Sequence, residues 1–342
     1  MADTSSIGPT WPPAPTSAAR IKGIDTRGII DGSSRLERLL DELQTLSKEL
    51  ENGPFEGCDR LSLRAVVKTD LLRRPGDALS SWVEAVLPLE GGELALVYLG
   101  RNAAGRLSDP SDLARSLDHV GRARGARPRG AEEILRRAEK AGYSLRVLAS
   151  RERLGEPGIV GGMARLYRRF GWNSEETQQI LENPSSLIAV AQWPGGEERR
   201  GEIVCAGVAE LSHLRLEDGF ELRIAEFTEA ATLGEHQGRG LYSAVAALLM
   251  RELASLSRSR DFLGGEIDLG FGECSGHDLG VLIAAKRLGR RFALEFQEEH
   301  GLDFPGFLAQ HVPISGAPRK TRYNDLFPTF LSRRSLYRFA DA

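Results

Sequence analysis

The chain has few of the residues that mark specialised protein classes. Among its 342 residues only Cys58, Cys205 and Cys274 are cysteines, an odd and scattered set that argues against a disulfide framework and favours a reducing compartment. The six histidines show no metal-ligand spacing, so we expect no bound metal. No apolar run is long enough to span a membrane, and no apolar segment follows a basic N-terminus. The sequence therefore predicts a cytoplasmic protein without a membrane partner.

An excess of charge of either sign is also missing. The formal net charge is -3, from 45 basic and 48 acidic residues, which argues against general nucleic-acid binding. Hydrophobic residues make up 41% of the chain and charged residues 27%, as in an ordinary globular protein. The length is too great for one ordinary core, so we expect two parts.

The distribution of proline, glycine and apolar residues predicts three segments. Residues 1–30 are rich in Pro, Ser, Thr and Gly and predict a disordered arm. Residues 31–154 predict a smaller α/β region that opens with an amphipathic helix over 35–50. The glycine-rich stretch Gly155–Gly162 is predicted to link it to a second region over 155–342.

The second region predicts a mixed sheet. Two helices are expected over 163–170 and 174–182, the latter capped by Asn173 or Ser174 with help from Glu176. Three consecutive strands and then alternating helices and strands follow, which favours a mostly antiparallel sheet flanked by helices over a doubly wound parallel one. The expected strands are 187–192, 202–211, 222–233, 267–273 and 307–313, and the expected helices are 241–256 and 278–288.

The segment Ile224–Met250 carries the clearest functional pattern. Its alternating part, 224–233, predicts a strand, and its alanine- and leucine-rich part, 241–256, predicts a helix. The loop between them contains Gly238 and Gly240. A strand, a glycine loop and a helix N-terminus aim several backbone N–H groups at one phosphate, and glycine lets the anion approach the backbone closely. The pattern therefore predicts a phosphate-bearing ligand.

This loop resembles the pyrophosphate loop of the GNAT superfamily of N-acetyltransferases, which reads Arg/Gln-x-x-Gly-x-Gly/Ala after the fourth strand. The run Gln237–Tyr242 fits the first five positions, and Tyr242 stands where the family has a small residue. Within the superfamily, Glu226–Leu241 and Met163–Trp172 resemble the β-lysine N-acetyltransferase type. In that type a truncated GNAT-like half precedes the catalytic half, so the resemblance suggests that residues 61–150 are a degenerate GNAT-like half.

The resemblance implies acetyl-CoA, or another acyl-CoA, as the co-substrate. A backbone N–H near Thr232 or Leu233 is then expected to stabilise the oxyanion, beside backbone groups that bind the pantetheine arm. For His236 two interpretations stay open, a contact with the phosphates or an exposed loop residue without a role. The residues expected to surround the pyrophosphate are Gln237, Gly238, Arg239, Gly240, Leu241 and Tyr242.

An amine acceptor must lose a proton before it can attack, so a base is useful on the strand before the loop. The resemblance favours Glu226, with Glu229 and Glu210 as alternatives. Regular alternation places Glu226 and Thr228 on one face of the strand and Phe227 and Glu229 on the other. Only one of Glu226 and Glu229 is therefore expected to face the cleft. The competing interpretation for each carboxylate is an ion pair with an arginine or exposure to solvent.

The family's usual general acid is a tyrosine in the helix after the fifth strand, and that position is Ala285 here. Protonation of the leaving thiolate then falls to water or to Tyr242, Cys274 or Ser275, unless activity has been lost. For Cys274, a buried and inert thiol is favoured over a reactive one.

Two further features are candidates for the acceptor site. Trp172 and Tyr167 lie where the resemblance places acceptor specificity, with packing in the core as the alternative. The segment Gly316–Pro328 is aromatic and basic, and its two prolines predict irregular structure. It is expected either to bind an acceptor carboxylate through Arg319 or Arg322, or to cover the core as a packed tail.

We predict an N-acetyltransferase that moves an acetyl group from acetyl-CoA to the amine of a small molecule or amino acid. The resemblance implies direct attack in a ternary complex. Two alternatives stay open: a GNAT-fold protein that binds CoA or a metabolite without turnover, and a protein-lysine acetyltransferase. The expected partner is the small amine, with neither nucleic acid nor metal, and with a homodimer as an open assembly state.

Overall fold

The chain folds into two sheets that pack against each other. The computed structural model describes residues 19–24, 28–52, 58–73, 81–102, 110–148, 150–195, 201–260, 264–313 and 323–342. Among these residues, one sheet has four strands and the other has eight. Within these ranges, every helix is too short or too polar to cross a membrane.

The smaller sheet is formed by the N-terminal part of the chain. Its strand order is β1-β2-β4-β3, in which β1 and β2 run parallel and the other neighbours antiparallel. The helix α1 buries its leucine stripe in the same core as this sheet. The elements are β1 (Ala19–Ile24), α1 (Ser33–Asn52), β2 (Cys58–Lys68), β3 (Val83–Pro88) and β4 (Leu94–Asn102).

The larger sheet is mixed and mostly antiparallel, with helices around it, which confirms the predicted fold class. Its order is β10-β12-β9-β8-β7-β6-β5, with β11 added on β12, and only β8 and β9 run parallel. The elements are α2 (Pro110–Arg124), α3 (Ala131–Lys140), β5 (Ser144–Leu148), α4 (Ser150–Gly155), α5 (Pro157–Arg168), α6 (Ser174–Glu182), β6 (Ser186–Trp193), β7 (Glu202–Arg215), β8 (Glu221–Thr232), α7 (Leu241–Ser259), β9 (Leu269–Ser275), α8 (Leu279–Arg287), β10 (Arg291–Phe292), α9 (Ala293–His300), β11 (Leu308–Pro313), β12 (Tyr323–Ser332) and α10 (Arg333–Asp341).

Most predicted elements are confirmed, with small shifts at their ends. The predicted cap of α6 is a full capping box: Asn173 Oδ1 accepts the Glu176 N–H at 2.9 Å, and Glu176 Oε2 accepts the Asn173 N–H at 2.7 Å. The elements that were not predicted are β1, β3, β10, β12, α4, α9 and α10. The predicted boundary at residue 154 stays a prediction, although β5, which precedes it, pairs with β6 in the larger sheet.

The predicted disordered arm is too long at its C-terminal end. Residues 1–18 lie outside the described residues, but Ala19–Ile24 form β1 beside β2. Ile30 is 1% exposed and bridges to Val67. Ala19–Ile24 contains no proline, unlike the start of the arm, so each of its residues has a backbone N–H for the pairing.

The prediction of a link over Gly155–Gly162 is wrong, because α5 begins at Pro157 and runs through this stretch. Proline suits the first helical position, where its missing N–H would have no partner. The glycines allow close packing on the sheet: a Cβ on Gly162 would lie 3.0 Å from Cδ1 of Ile203 in β7.

The predicted irregular segment 316–328 is partly regular. Residues 314–322, which include Arg319 and Arg322, lie outside the described residues. The end of the segment belongs to β12, which pairs with β9 and contains Pro328. Proline removes one donor from the ladder but keeps its carbonyl acceptor, so the strand continues through it.

The two sheets share one hydrophobic core. It joins Leu63 and Tyr98 of the smaller sheet to Leu222, Ile224 and Phe271 of the larger one. The rings of Tyr98 and Phe271 meet edge to face, with centroids 6.4 Å apart. The smaller sheet therefore covers part of β8 and β9.

The helix α7 lies on the other face of the larger sheet. A Cβ on Gly207 of β7 would lie 3.0 Å from Cγ1 of Val245 in α7, so this position faces the helix. Alternation along β7 turns Glu210 to the opposite face, and Glu210 pairs with Glu226 of β8. Both glutamates therefore lie on the face that the smaller sheet shares.

Candidate functional site

The parallel strands β8 and β9 separate after a short contact. Ile224–Glu226 pair with Leu269–Phe271, and β8 then continues to Thr232 without a further pair on that side among the described residues. The backbone of 227–232 therefore presents polar groups to an open wedge. We call this wedge the β8–β9 cleft and the end at Glu226 its narrow end.

A β-bulge at Glu229 shapes the wall of the cleft. Glu229 has φ 47°, and the register of β8 against β7 shifts between Thr228 and Ala231. The Tyr167 hydroxyl of α5 donates to the Glu229 carbonyl at 2.7 Å, which holds the bulge in place. Positive φ is uncommon for a residue other than glycine and is often found at functional sites.

The bulge changes the face of β8 on which the Glu229 side chain lies. The Thr228 hydroxyl lies 3.4 Å from Oε1 of Glu229, a contact that regular alternation would prevent. The carboxylate of Glu229 therefore lies on the face of Thr228 and Glu226. The prediction that Glu229 shares a face with Phe227 is therefore wrong, because it assumed a strand with unbroken alternation.

The glycine loop enters α7 as predicted. Gly238 has φ 74° and Gly240 has φ 79°, and a Cβ on either would meet no atom within 4 Å. Glycine is thus required by the backbone conformation, and the space beside the loop is open. Gly240 provides no side-chain cap for α7, so the first N–H groups of the helix point out of the loop.

Two contacts fix the loop to the sheet. Gln237 Nε2 donates to the Thr232 carbonyl at 3.2 Å, and the guanidinium of Arg239 lies 5.9 Å from the ring centroid of Trp193. Both predicted phosphate-loop side chains are exposed beyond these contacts. The side chains of Gln237 and Arg239 therefore attach the loop to the sheet, and the backbone N–H groups of the loop stay accessible.

His236 is not the exposed residue that one interpretation expected. It is 5% exposed, and its Nδ1 shares a hydrogen bond of 2.9 Å with the Tyr143 hydroxyl. Its ring also lies 5.4 Å from that of Trp193. The turn Gly234–His236 directs this side chain inward, so His236 anchors the loop on the edge of the sheet and does not face the phosphate side.

Of the two predicted oxyanion donors, only Thr232 is placed to serve. The Leu233 N–H donates to the Val204 carbonyl at 2.9 Å and is therefore occupied by β7. Backbone donors alternate between the two edges of a strand, so the Thr232 N–H points into the cleft. The prediction of Leu233 as a donor is wrong for that reason.

Glu226 is held in a buried ion pair. Arg64 of β2 donates to both its carboxylate oxygens, at 2.9 and 3.1 Å, and to Glu273 of β9 at 3.1 Å. The guanidinium also lies 4.9 Å from the Tyr98 ring centroid and 4.7 Å from that of Phe271. The competing interpretation, a carboxylate bound to arginine, therefore describes Glu226.

Of the candidate proton donors, Tyr242 lies in α7 and Cys274 lies on the α7 face of β9, whereas Ser275 lies on the opposite face with Glu273. Burial raises the pKa of the Tyr242 hydroxyl above its ordinary value, while Arg290 acts in the opposite direction. Cys274 is 2% exposed, and burial raises the pKa of its thiol, as expected for an inert cysteine. Ser275 accepts a hydrogen bond from the His277 N–H at 3.3 Å. Ala285 is buried in the same apolar cluster as Cys274.

Arg290 is a residue of this site that sequence reasoning missed. It is 2% exposed, and its Nε and Nη2 have no hydrogen-bond partner among the described residues. The only signal in the sequence was its place, directly after α8 and five residues beyond Ala285. Nothing in the local pattern distinguishes it from Arg291, which pairs with Glu299 at the surface.

The predicted acceptor-site aromatics pack beside the bulge. The rings of Tyr167 and Trp172 meet edge to face, with centroids 4.5 Å apart. Tyr167 is fully buried, and Trp172 is half-buried. Trp172 is therefore the one of the two that a ligand on this face can reach.

No family model matches the chain, and no curated protein sequence is similar to it. Solved acetyltransferase structures are similar in fold. Arabidopsis thaliana NAA60 in complex with acetyl-CoA is 13% identical over 56% of this chain and 98% of its own, with a TM-score of 0.39. The ribosomal-protein-S18-alanine N-acetyltransferase of Escherichia coli is 12% identical over 56% of this chain and 93% of its own, with a TM-score of 0.37. An acetyltransferase of the GNAT family from Streptococcus pneumoniae is 11% identical over 56% and 99%, with a TM-score of 0.36.

Proposed function

We propose that this protein is an acyl-CoA-dependent N-acyltransferase that transfers an acetyl group to a small primary amine. The observation that carries the proposal is the β8–β9 cleft, which opens at the glycine loop and the N-terminus of α7. An anion at the loop and a thioester in the cleft would then lie along one continuous path of backbone donors.

The residues present suit an acyl-CoA. The N–H groups around Gly238, Gly240 and Leu241 would hold the pyrophosphate, and Arg239 would add positive charge. Gln237 supports the loop through its bond to Thr232. The Thr232 N–H is the donor proposed for the carbonyl oxygen as negative charge develops on it.

Glu229 is the carboxylate that we propose as the base. Both oxygens of Glu226 accept from Arg64, which leaves that residue in a structural role. Glu229 lies at the bulge, beyond the last β8–β9 pair, where an amine that approaches the thioester would arrive. Removal of the amine proton by a positioned carboxylate accelerates such reactions by about 10²–10⁴-fold.

The position of the smaller sheet favours a small acceptor over a protein. Arg64 of that sheet reaches the face of β8 on which Glu226 lies, so part of this face is covered within the chain itself. The resemblance to the β-lysine type makes lysine-like diamino acids the first acceptors to assay.

The proposal is tested by incubation of the protein with acetyl-CoA and a panel of amines. The panel contains diamino acids, polyamines, monoamino acids and a lysine peptide, and free CoA and the acetylated amine are measured together by mass spectrometry. We expect acetylation of one small-amine class in proportion to CoA release. Acetylation of the lysine peptide alone would favour the protein-lysine alternative. Acetyl-CoA binding without any product would favour a CoA-binding protein without turnover.

A further inference from the structure

Arg290 is a buried cation beneath the cleft, and its guanidinium lacks part of its hydrogen bonds to the described residues. Its backbone N–H donates to the Ala285 carbonyl at 3.0 Å, so the side chain starts next to the position of the family's usual tyrosine. It is 2% exposed, yet Nε and Nη2 make no hydrogen bond within the part of the chain that the structure describes. Buried donors normally have partners, and a buried charge without them is costly, so this side chain calls for an explanation.

The guanidinium lies at the narrow end of the cleft. A Cβ on Gly272 would clash with Arg290 Nη2 and would lie 2.7 Å from the Phe227 carbonyl oxygen. Gly272 and Phe227 are the first residues of β9 and β8 beyond their last parallel pair, Glu226 with Phe271. The guanidinium also lies 5.1 Å from the Phe227 ring centroid. The absence of a side chain at Gly272 is what gives Arg290 its place there.

Arg290 and the carboxylates occupy opposite faces of the sheet. The Phe271 side chain faces Arg64, so the next position, Gly272, faces the α7 side, where Arg290 lies. Glu226 and Glu229 are on the other face. The cleft thus has acid groups on the side where an amine would approach and a cation on the side away from it.

Among the described residues, no group accepts a hydrogen bond from Nε or Nη2 of Arg290. The Tyr242 hydroxyl and the Cys274 thiol lie in buried positions where the pKa of each is raised, and both are therefore neutral. The charged or titratable side chains that act on these two groups, apart from Arg290 itself, are Asp278 at the start of α8, Cys205 on β7 and Glu273 on β9. Asp278 caps α8 and accepts the Val281 N–H at 3.1 Å.

We propose that Arg290 binds the sulfur of CoA and stabilises it as the thiolate that leaves in acyl transfer. This inference rests on the proposed function, because it requires an acyl-CoA whose pyrophosphate lies at the glycine loop. The thioester is then the end of that ligand nearest the narrow end of the cleft.

The reaction balances without a proton donor for sulfur. The neutral amine nitrogen attacks the thioester carbon and forms the C–N bond, while the carbonyl electron pair moves to oxygen. The pair returns, the C–S bond breaks, and its electrons leave on sulfur as a thiolate. The amine proton goes to the Glu229 carboxylate. Arg290 keeps its protons throughout, since a guanidinium stays charged at any working pH.

Calorimetry can detect the thiolate directly. A free thiol with a pKa of about 8.5 is mostly protonated at pH 7.5, and a cation within about 4–6 Å lowers the pKa of an acid by about 1–3. CoA binding to Arg290 should therefore release about half a proton or more at pH 7.5. The release is measured from the binding heat of CoA in buffers that differ in ionisation enthalpy. Acetyl-CoA, which has no free thiol, should release none beyond the background.

Arg290→Met removes the charge and keeps most of the length of the side chain. We expect this variant to bind CoA without the extra proton release and to bind acetyl-CoA with little change. Its kcat should fall by about 10²–10³-fold, as for loss of a donor to a developing anion. Arg291→Met, at the neighbouring surface arginine, is the matched control and should behave as the wild type. Arg290→Gln serves as a second neutral variant if Arg290→Met folds poorly.

Equal proton release on binding of CoA and acetyl-CoA to the wild-type protein would overturn the inference, whatever the variants do. Extra proton release on CoA binding that persisted in Arg290→Met or Arg290→Gln would also overturn the inference. Failure of the proposed function looks different, because the wild-type protein would then either bind neither ligand or bind acetyl-CoA and form no acetylated amine.

Discussion

Replacement of Arg64 by methionine is expected to lower the free energy of unfolding by about 3–5 kcal/mol, as when one partner of a buried ion pair is removed. Arg64 is 6% exposed and hydrogen-bonds two carboxylates, Glu226 and Glu273, which lie on different strands of the larger sheet. Without the guanidinium, both carboxylates would stay near the core without their cation. Urea denaturation of the full chain measures the change.

The double variant Arg64→Met/Glu226→Gln should lose less than the sum of the two single variants, because removal of one negative charge relieves the repulsion that Arg64→Met creates. Arg122→Met is the control, since the pair of Arg122 with Asp118 is exposed and spans 3.8 Å. It should change the stability by less than about 1 kcal/mol. If Arg64→Met also changed the free energy of unfolding by less than about 1 kcal/mol, the ion pair would not be what holds the two sheets together.

The second large effect is expected at Glu229. Glu229→Gln keeps the size of the side chain and the backbone bond from Tyr167, but it removes the proton acceptor. We expect kcat to fall by about 10²–10⁴-fold with little change in acetyl-CoA affinity or in thermal stability. Steady-state kinetics with the best acceptor amine, together with a thermal melt, measure these quantities.

Glu226→Gln is the matched comparison, because Glu226 lies three positions before Glu229 on the same face of β8. Because Arg64 binds both oxygens of Glu226, this variant should lose stability more than it loses kcat. The reverse pattern, with a large kcat loss in Glu226→Gln and none in Glu229→Gln, would return the role of base to Glu226. Unchanged kcat in both variants would leave water as the proton acceptor.

The regular parts of the site could be predicted from the sequence because their signals are local. Alternation identifies β8, glycines with positive φ mark the loop, and the run of alanine and leucine identifies α7. The cap at Asn173 and Glu176 was likewise visible as a short spacing. Each of these features depends on residues that are close together in the sequence.

The features that decide the chemistry depend on distant contacts. Arg64 and Glu226 are 162 positions apart, so no spacing rule joins them. The bulge at Glu229 inserts one extra residue against β7, and the register of a partner strand cannot be read from β8 alone. His236 points inward to hydrogen-bond Tyr143, which lies 93 positions earlier in the chain.

The site also contains two features that are costly to a folded protein. Glu229 carries a positive φ without being glycine, and Arg290 buries a charge with two unpaired nitrogens. Both exceptions border the β8–β9 cleft, although they come from different parts of the chain. Features of this kind concentrate at functional sites, where strain and unpaired charge serve a ligand.

The most direct test of the account is calorimetric binding of acetyl-CoA to the wild-type protein and to two variants of Gly240. Asn and Asp have the same shape and both tolerate the positive φ of 79° at this position, so Gly240→Asn and Gly240→Asp differ only in charge. We predict a Kd of about 1–100 µM for the wild-type protein, with at most a modest change in Gly240→Asn. In Gly240→Asp the carboxylate would repel the pyrophosphate and weaken binding by about 100-fold or more. Absence of binding to the wild-type protein, or equal binding to the two variants, would contradict the assignment of this loop as an acyl-CoA site.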